Sequence, residues 1–303
     1  GKERTQMRIL NFGSLNIDYV YRVNEIVRPG ETISASVRDR FCGGKGLNQS
    51  TALARAGAKV CHAGMTGHDG VFMIDALKDS GVDTRYIVMS ESESGHAVIQ
   101  VDKEGQNSII IYPGANRQIT EQMIDRVLEG FEEDDWVLLQ NEINNTGYII
   151  DKAYEKGLKI AFNPSPIDDS ISGLPLEKVS LFFLNEIEGE AITGKNKSDD
   201  ICDELLSRYE EAEAVLTLGS HGAVFASAGI RLFQEAIPVK AVDTTAAGDT
   251  FTGYFLHSYA SGQTPEHSLL RAAAAAAVTV SRKGAMPSIP YDRDVTDMMQ
   301  KGV

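Results

Sequence analysis

The run Val242-Asp243-Thr244-Thr245-Ala246-Ala247-Gly248-Asp249-Thr250-Phe251 limits what this chain can become more than any other stretch. Before it, Ala236 to Val242 alternates like a strand; after it, Thr250 to Leu256 reads as the opening of a buried helix. Small residues at such a junction permit a tight turn and leave the first helical N–H groups uncovered. Those donors, with the positive end of the helix dipole, form a site for a phosphate or a developing oxyanion. Asp249 then stands where its carboxylate can take a proton from a group held against that site. An Asp ahead of an apolar run is most often a helix cap. Capping accounts for one Asp but not for two, Asp243 and Asp249, framing small residues and two threonines.

The rest of the chain must supply a core and partners for that turn. At 303 residues and 42% hydrophobic content, one large α/β sheet can organise the whole chain as a single domain over 1–303. Strand-like and helix-like segments alternate without a repeat, which implies a mainly parallel sheet covered on both faces. A net charge of −14, from 29 basic and 43 acidic residues, disfavours nucleic acid or an anionic membrane as partner. A few local groups can still hold an anionic nucleotide. No apolar run suffices to span a bilayer and no signal-peptide pattern opens the chain. Cys42, Cys61 and Cys202 form no C-x-x-C pair and read as free thiols, so a cytoplasmic protein is expected. The polar residues 1–6 read as a tag remnant or short tail.

Other stretches have a plain local reading beside a functional one. Asn16 and Asp18 share a side of an extended segment, where a surface turn is the simpler account. Cys42 to Ser50 is a glycine-rich loop leading into a helix over Thr51 to Ala56 that Gly57 closes; it is no Walker A loop, and Lys45 could be merely solvated. Glu142 follows the buried strand Trp136 to Gln140, and Asn163 follows Lys159 to Phe162, both at carboxyl ends where α/β sheets gather ligands. A solvated Glu142 explains the pattern almost as well. Asn185 and Glu188 form an N-cap and capping-box pattern. Thr217, Gly219 and Gly222 lie in a strand, turn and strand that could be a plain hairpin. His68 reads as an exposed loop residue. Gly95 to Asp102 and Asn107 to Tyr112 flank a glycine-containing turn as a hairpin.

Asp243 to Asp249 resembles D-T-x-G-A-G-D, a signature of the ribokinase family of carbohydrate kinases. Ala246 replaces the first Gly, as in the ribokinase branch, which suits an anion hole of backbone N–H groups if φ is negative there. Gly43-Gly44-Lys45-Gly46-Leu47-Asn48 is similar to the family's G-G-K-x-x-N, Asn185 to Glu188 to its N-x-x-E, and Thr66 to Gly70 to a structural turn. The resemblance runs from Arg8 to Tyr291. It implies a ribokinase-like three-layer α/β/α sandwich with a mainly parallel sheet and a small β-sheet lid, from about 18–42 and 94–113. Lid pairing into a homodimer would cover an apolar face.

It also implies an ATP-dependent sugar kinase, with D-ribose the first acceptor to consider and its 5-phosphate the product. Asp249 would be the base, with N–H groups of Ala246, Ala247, Gly248 and Asp249 forming the anion hole. Asn16, Asp18, Gly44, Lys45, Asn48 and Glu142 would contact sugar. Asn185, Thr217, Gly219, Gly222 and Gly248 would hold the nucleotide, and Asn185 with Glu188 would position Mg²⁺ through water. A K⁺ is implied at Asp243, Thr245, Gly284 and Ser288, with Thr279 a further candidate. Another sugar, a nucleoside, or a non-catalytic sugar or nucleotide sensor remain alternatives.

Overall fold

The computed structural model describes residues 6–301. The expectation of a tag or tail over 1–6 therefore falls, except for Gln6, outside the described residues. The chain opens with β1 (Ile9–Phe12), β2 (Asn16–Arg22), β3 (Val37–Gly43), α1 (Lys45–Ala56), β4 (Val60–Gly67), α2 (Val71–Asp79) and β5 (Asp83–Ser90). It continues through β6 (Gly95–Val101), β7 (Asn107–Tyr112), α3 (Glu121–Leu128), β8 (Trp136–Leu139), α4 (Thr146–Glu155) and β9 (Lys159–Phe162). Next are β10 (Leu181–Asn185), α5 (Glu186–Thr193), α6 (Ser198–Arg208), β11 (Glu213–Thr217), β12 (Ala223–Ser227) and β13 (Ile230–Gln234). Three helices end it: α7 (Ala247–Ala260), α8 (Pro265–Val280) and α9 (Asp292–Lys301).

Nine strands form one sheet in the order β13-β12-β11-β10-β9-β8-β1-β4-β5. All neighbours pair in parallel except β11–β12 and β12–β13, which are antiparallel. Period-2 alternation sends side chains to two cores. In β8, Val137 and Leu139 join the core under α3, α4 and α6, whereas Trp136 and Leu138 join the one under α1, α7 and α8. This is the expected α/β/α sandwich. A second sheet has the order β3-β2-β6-β7 and draws on two separated segments, as expected for the small β-sheet. Among the described residues no helix is long and apolar enough to cross a membrane.

Strand β1 lies mid-sheet between β4 and β8, so the chain's connections diverge to either side of it. At such a switch point the loops separate and leave a crevice at the strands' carboxyl ends. Two expectations need correction. Ala236–Val242 is not a strand: no sheet neighbour pairs with it, and Pro238 lacks an N–H to donate. It crosses the end of α8 instead, the N–H groups of Val242 and Asp243 both donating to Val280 C=O at 2.7 and 3.1 Å. Helix α1 starts at Lys45, six residues earlier than expected, because Gly44 turns the chain at φ 94° directly into it. Gly57, at φ 107°, closes that helix as expected.

Candidate active site

The site is assembled where α1 crosses α7. A Cβ on Gly253 of α7 would come within 2.5 Å of Ala52 Cβ, so glycine is required for this approach. One turn earlier on each helix, Asp249 meets Asn48 and Gln49. Asn48 Nδ2 donates to Asp249 Oδ2 at 3.1 Å and Gln49 Nε2 to Oδ1 at 3.0 Å. Asp249 is buried and both of its oxygens are held. Lys45, at the start of α1, keeps its proton firmly: Asp249 raises its pKa most, with Glu142 and Glu188 assisting against burial.

Glu142, after β8, is anchored by two donors, Ser14 Oγ and the Lys45 N–H, each at 2.8 Å from Oε1. Asp18, on β2, faces the same crevice; burial chiefly, then Glu142, pushes its pKa up to about 6. Asn16 Oδ1 accepts from Asn116 Nδ2 at 2.7 Å, which fixes the amide with its Nδ2 as the free end. Asn16, Asp18, Lys45, Asn48, Glu142 and Asp249 therefore gather around the root of the four-stranded sheet, and Gly44 turns the backbone beside Asn16.

The turn before α7 differs from expectation at Ala246, whose φ is +64°. An L-residue in the left-handed region costs about 1–2 kcal/mol, so the turn carries strain where negative φ was expected. No side chain caps α7. The Ala247 N–H closes the turn on Thr244 C=O at 3.3 Å, while Gly248 and Asp249 present first-turn N–H groups without helical partners. A Cβ on Gly248 would meet no protein atom within 4 Å. The fold leaves open space there, next to donors that suit an anion.

Beside that turn lies a cleft of about 450 Å³. Thr217, Gly219, Gly222 and Gly248 border it, with Ile237, Phe251, Ala273 and Val280 among its apolar walls. The stretch expected to be a strand, Ala236–Val242, supplies one wall through Ala236 to Val239 and Ala241. The alanine-rich α8 supplies another. Asn185 is not among the lining residues: its Oδ1 caps α5 by accepting the Glu188 N–H at 2.8 Å.

Among the described residues no three His, Cys, Asp or Glu cluster as a direct metal cage. Glu188 is buried and its pKa is raised by that burial, with Lys45 opposing and Asp249 adding. One or two carboxylates, water and substrate phosphates are the usual setting for Mg²⁺, so these residues fit it. In Asp243, burial pushes the pKa up, but hydrogen bonds from Thr245 and Gly284 outweigh it and hold the carboxyl below its ordinary value. Gly284 N–H reaches Asp243 Oδ2 at 3.0 Å, joining the C-terminal loop to the turn. Thr279 and Ser288 bond elsewhere, to Thr250 Oγ1 and Ala285 C=O.

Sequence reasoning missed Ser14, Gln49, Asn116 and Gln140, whereas Asn163, expected at the carboxyl end of its strand, does join the site through Gln49 and Glu188. Ser14 and Gln140 follow β1 and β8 at their carboxyl ends, the signal already applied to Glu142. Gln49 adjoins Asn48 in the glycine-rich motif, yet nothing local marks it. His68 is exposed and 3.3 Å from Glu91, away from the site.

Residues 6–292 match the model of the pfkB family carbohydrate kinases. A ribokinase of Schizosaccharomyces pombe is 36% identical over 305 residues, covering 94% of this chain and 95% of that protein. A deoxyribokinase of Salmonella typhi is 31% identical over 294 residues, covering 94% and 96%. The structure of Arabidopsis thaliana ribokinase complexed with ribose and ATP superposes with a TM-score of 0.85 at 29% identity, covering 97% of this chain and 99% of that one.

Proposed function

Because this chain belongs to the pfkB family of carbohydrate kinases, we propose that it is a ribokinase, moving the γ-phosphoryl of ATP to the 5-hydroxyl of D-ribose. Asp249 takes the hydroxyl proton as the oxygen attacks phosphorus. The N–H groups at the start of α7, with Lys45, stabilise charge on the transferred phosphoryl. Asp18 and Glu142 accept hydrogen bonds from sugar hydroxyls, Asn16 donates, Asn48 offers its unpartnered Oδ1 as an acceptor, and Gly44 lets the backbone approach. The four-stranded sheet acts as a lid that keeps water from the reaction. ATP occupies the cleft bordered by Thr217, Gly219 and Gly222. Glu188, through water, would hold a Mg²⁺ bound with the nucleotide, which would neutralise charge on the phosphates. Asp243, Thr245 and Gly284 would hold a K⁺ that keeps the strained turn in shape.

One observation carries this reading: a buried, doubly held Asp249 adjoins free helix N–H groups and an open space at Gly248. The test is Asp249→Asn, which keeps the shape and removes the base. We expect kcat for ribose-dependent ADP release to fall at least 100-fold with circular dichroism unchanged, within the usual 10²–10⁴ range for such a base. Turnover within tenfold of wild type would sink the assignment of Asp249. The deoxyribokinase relative favours 2-deoxyribose as the second acceptor to test.

A further inference from the structure

Beneath the proposed base runs a line of buried amides that phosphoryl transfer does not itself use. Asp249 Oδ1 accepts from Gln49 Nε2 at 3.0 Å, and Gln49 Oε1 accepts from Gln140 Nε2 at 2.7 Å. Gln140 Nε2 also donates to Asn11 Oδ1 at 2.9 Å. Asn11 Nδ2 in turn donates to Gly46 C=O at 2.7 Å and to Ser50 Oγ at 2.8 Å. Asn11, Gln49, Ser50 and Gln140 are all 0–1% exposed.

An amide can be turned end for end with almost no change of shape, so the direction of each link must be imposed. Backbone carbonyls, which only accept, impose it here. Gly46 C=O demands the NH₂ of Asn11, whose oxygen then faces Gln140. Gln140 must answer with its NH₂, and the same group reaches Gln49, which therefore offers oxygen to Gln140 and NH₂ to Asp249. Gln140 Oε1 has no protein partner, so its acceptor end does not set the direction. A second anchor agrees: Phe183 C=O takes Asn163 Nδ2 at 3.0 Å, turning Asn163 Oδ1 to the Gln49 NH₂ at 3.1 Å. A third end closes at His62. Gly13 C=O, 3.1 Å from Nε2, requires Nε2–H, and the bare Nδ1 accepts from Ser50 Oγ at 2.7 Å. Burial keeps that imidazole neutral, lowering its pKa to about 4.

We infer that Gln49 is a positioning residue for Asp249, and that Gln140, Asn11 and Asn163 fix it with its N–H toward the carboxylate. The inference rests on reading Asp249 as the base. With Asn48 on one oxygen and Gln49 on the other, the carboxylate is clamped and keeps a free lone pair for the substrate hydroxyl. A reversed Gln49 would set oxygen against oxygen and turn the carboxylate away.

The test compares Gln49→Glu, which replaces the donor by an acceptor of the same shape, with Gln49→Met, which removes it. Steady-state kinetics with ribose and Mg-ATP should show kcat lowered about 100-fold and about tenfold, respectively, with both KM values within threefold of wild type. Should the Gln49 variants not fold, Gln140→Glu against Gln140→Met decides. Gln140 does not touch Asp249, yet the Glu variant should lose at least tenfold more kcat than the Met variant. Unchanged kcat in the Gln49 pair, equal losses in the Gln140 pair, or losses confined to KM would overturn the inference. Asp249→Asn, run alongside, separates the two failures. If it abolishes turnover while the Gln49 variants remain normal, only the positioning role falls; if it does not, both fall.

Discussion

Asp18 packs so closely on β3 that a Cβ at Gly43 would lie 2.3 Å from its Oδ2. Its folded pKa of about 6 exceeds the ordinary 3.8, so between about pH 4 and 6 the folded chain binds the extra proton. Stability from this group therefore falls as pH rises through that window, and above it the bare carboxylate opposes folding. Asp18→Asn is expected to stabilise the sugar-free protein at pH 8 by up to about 3 kcal/mol, since the shift spans about two pKa units and each is worth about 1.4 kcal/mol. The same change should raise KM for sugar at least tenfold, and wild-type KM should rise below pH 6. Urea unfolding and kinetics at pH 5 and pH 8 check both; a less stable variant at pH 8 contradicts the argument. At this scale the sequence exposed residues whose type states their chemistry: Asp249, Lys45 and Asn48 stand in motifs. It hid residues whose role is set by direction. Nothing about Ala246 announces φ +64°, and Gln49 beside Asn48 looks like any helix glutamine.

Helix α7 carries the donors, and Gly248 in its first turn tests what they are for. Ala in place of Gly favours a helix by about 1 kcal/mol. The space there is open, so Gly248→Ala should stabilise the fold by up to about that amount. The added methyl should nonetheless lower kcat/KM for ATP at least tenfold by occupying the anion's place. Thermal unfolding and ATP kinetics on the variant decide; normal kinetics would remove the anion from this turn. Most elements were legible because each alternates or repeats with its own period. Ala236–Val242 shows the limit of that signal. The segment runs along the cleft of about 450 Å³ and alternates without a partner, whereas a strand also needs a neighbour with free N–H and C=O groups. Similarly, Gly44 to Gly46 reads as loop, although only Gly44 is in the left-handed region and α1 begins at the next residue.

The whole molecule joins a nine-stranded sheet to a four-stranded one whose halves lie far apart in sequence. The motifs' order pointed to that architecture; the register that sets Asn16 opposite both Gly43 and Gly95 appears only when the chain is folded. The edge strand β7 leaves Ile109, Ile110, Ile111 and Tyr112 exposed by 52–69%, with Phe41 of β3 also exposed. Apolar surface so concentrated is expected to be covered by a second copy, so the protein should sediment as a dimer and Ile110→Asp as a monomer. A monomeric wild type at micromolar concentration would contradict lid pairing. The most direct test of the central claim is ADP release with Mg-ATP and ribose, 2-deoxyribose, fructose or adenosine as acceptor, each with and without K⁺. The account predicts turnover highest with ribose and raised by K⁺. No acceptor-dependent ADP release with any of the four would contradict it, leaving the fold without the catalysis proposed for Asp249.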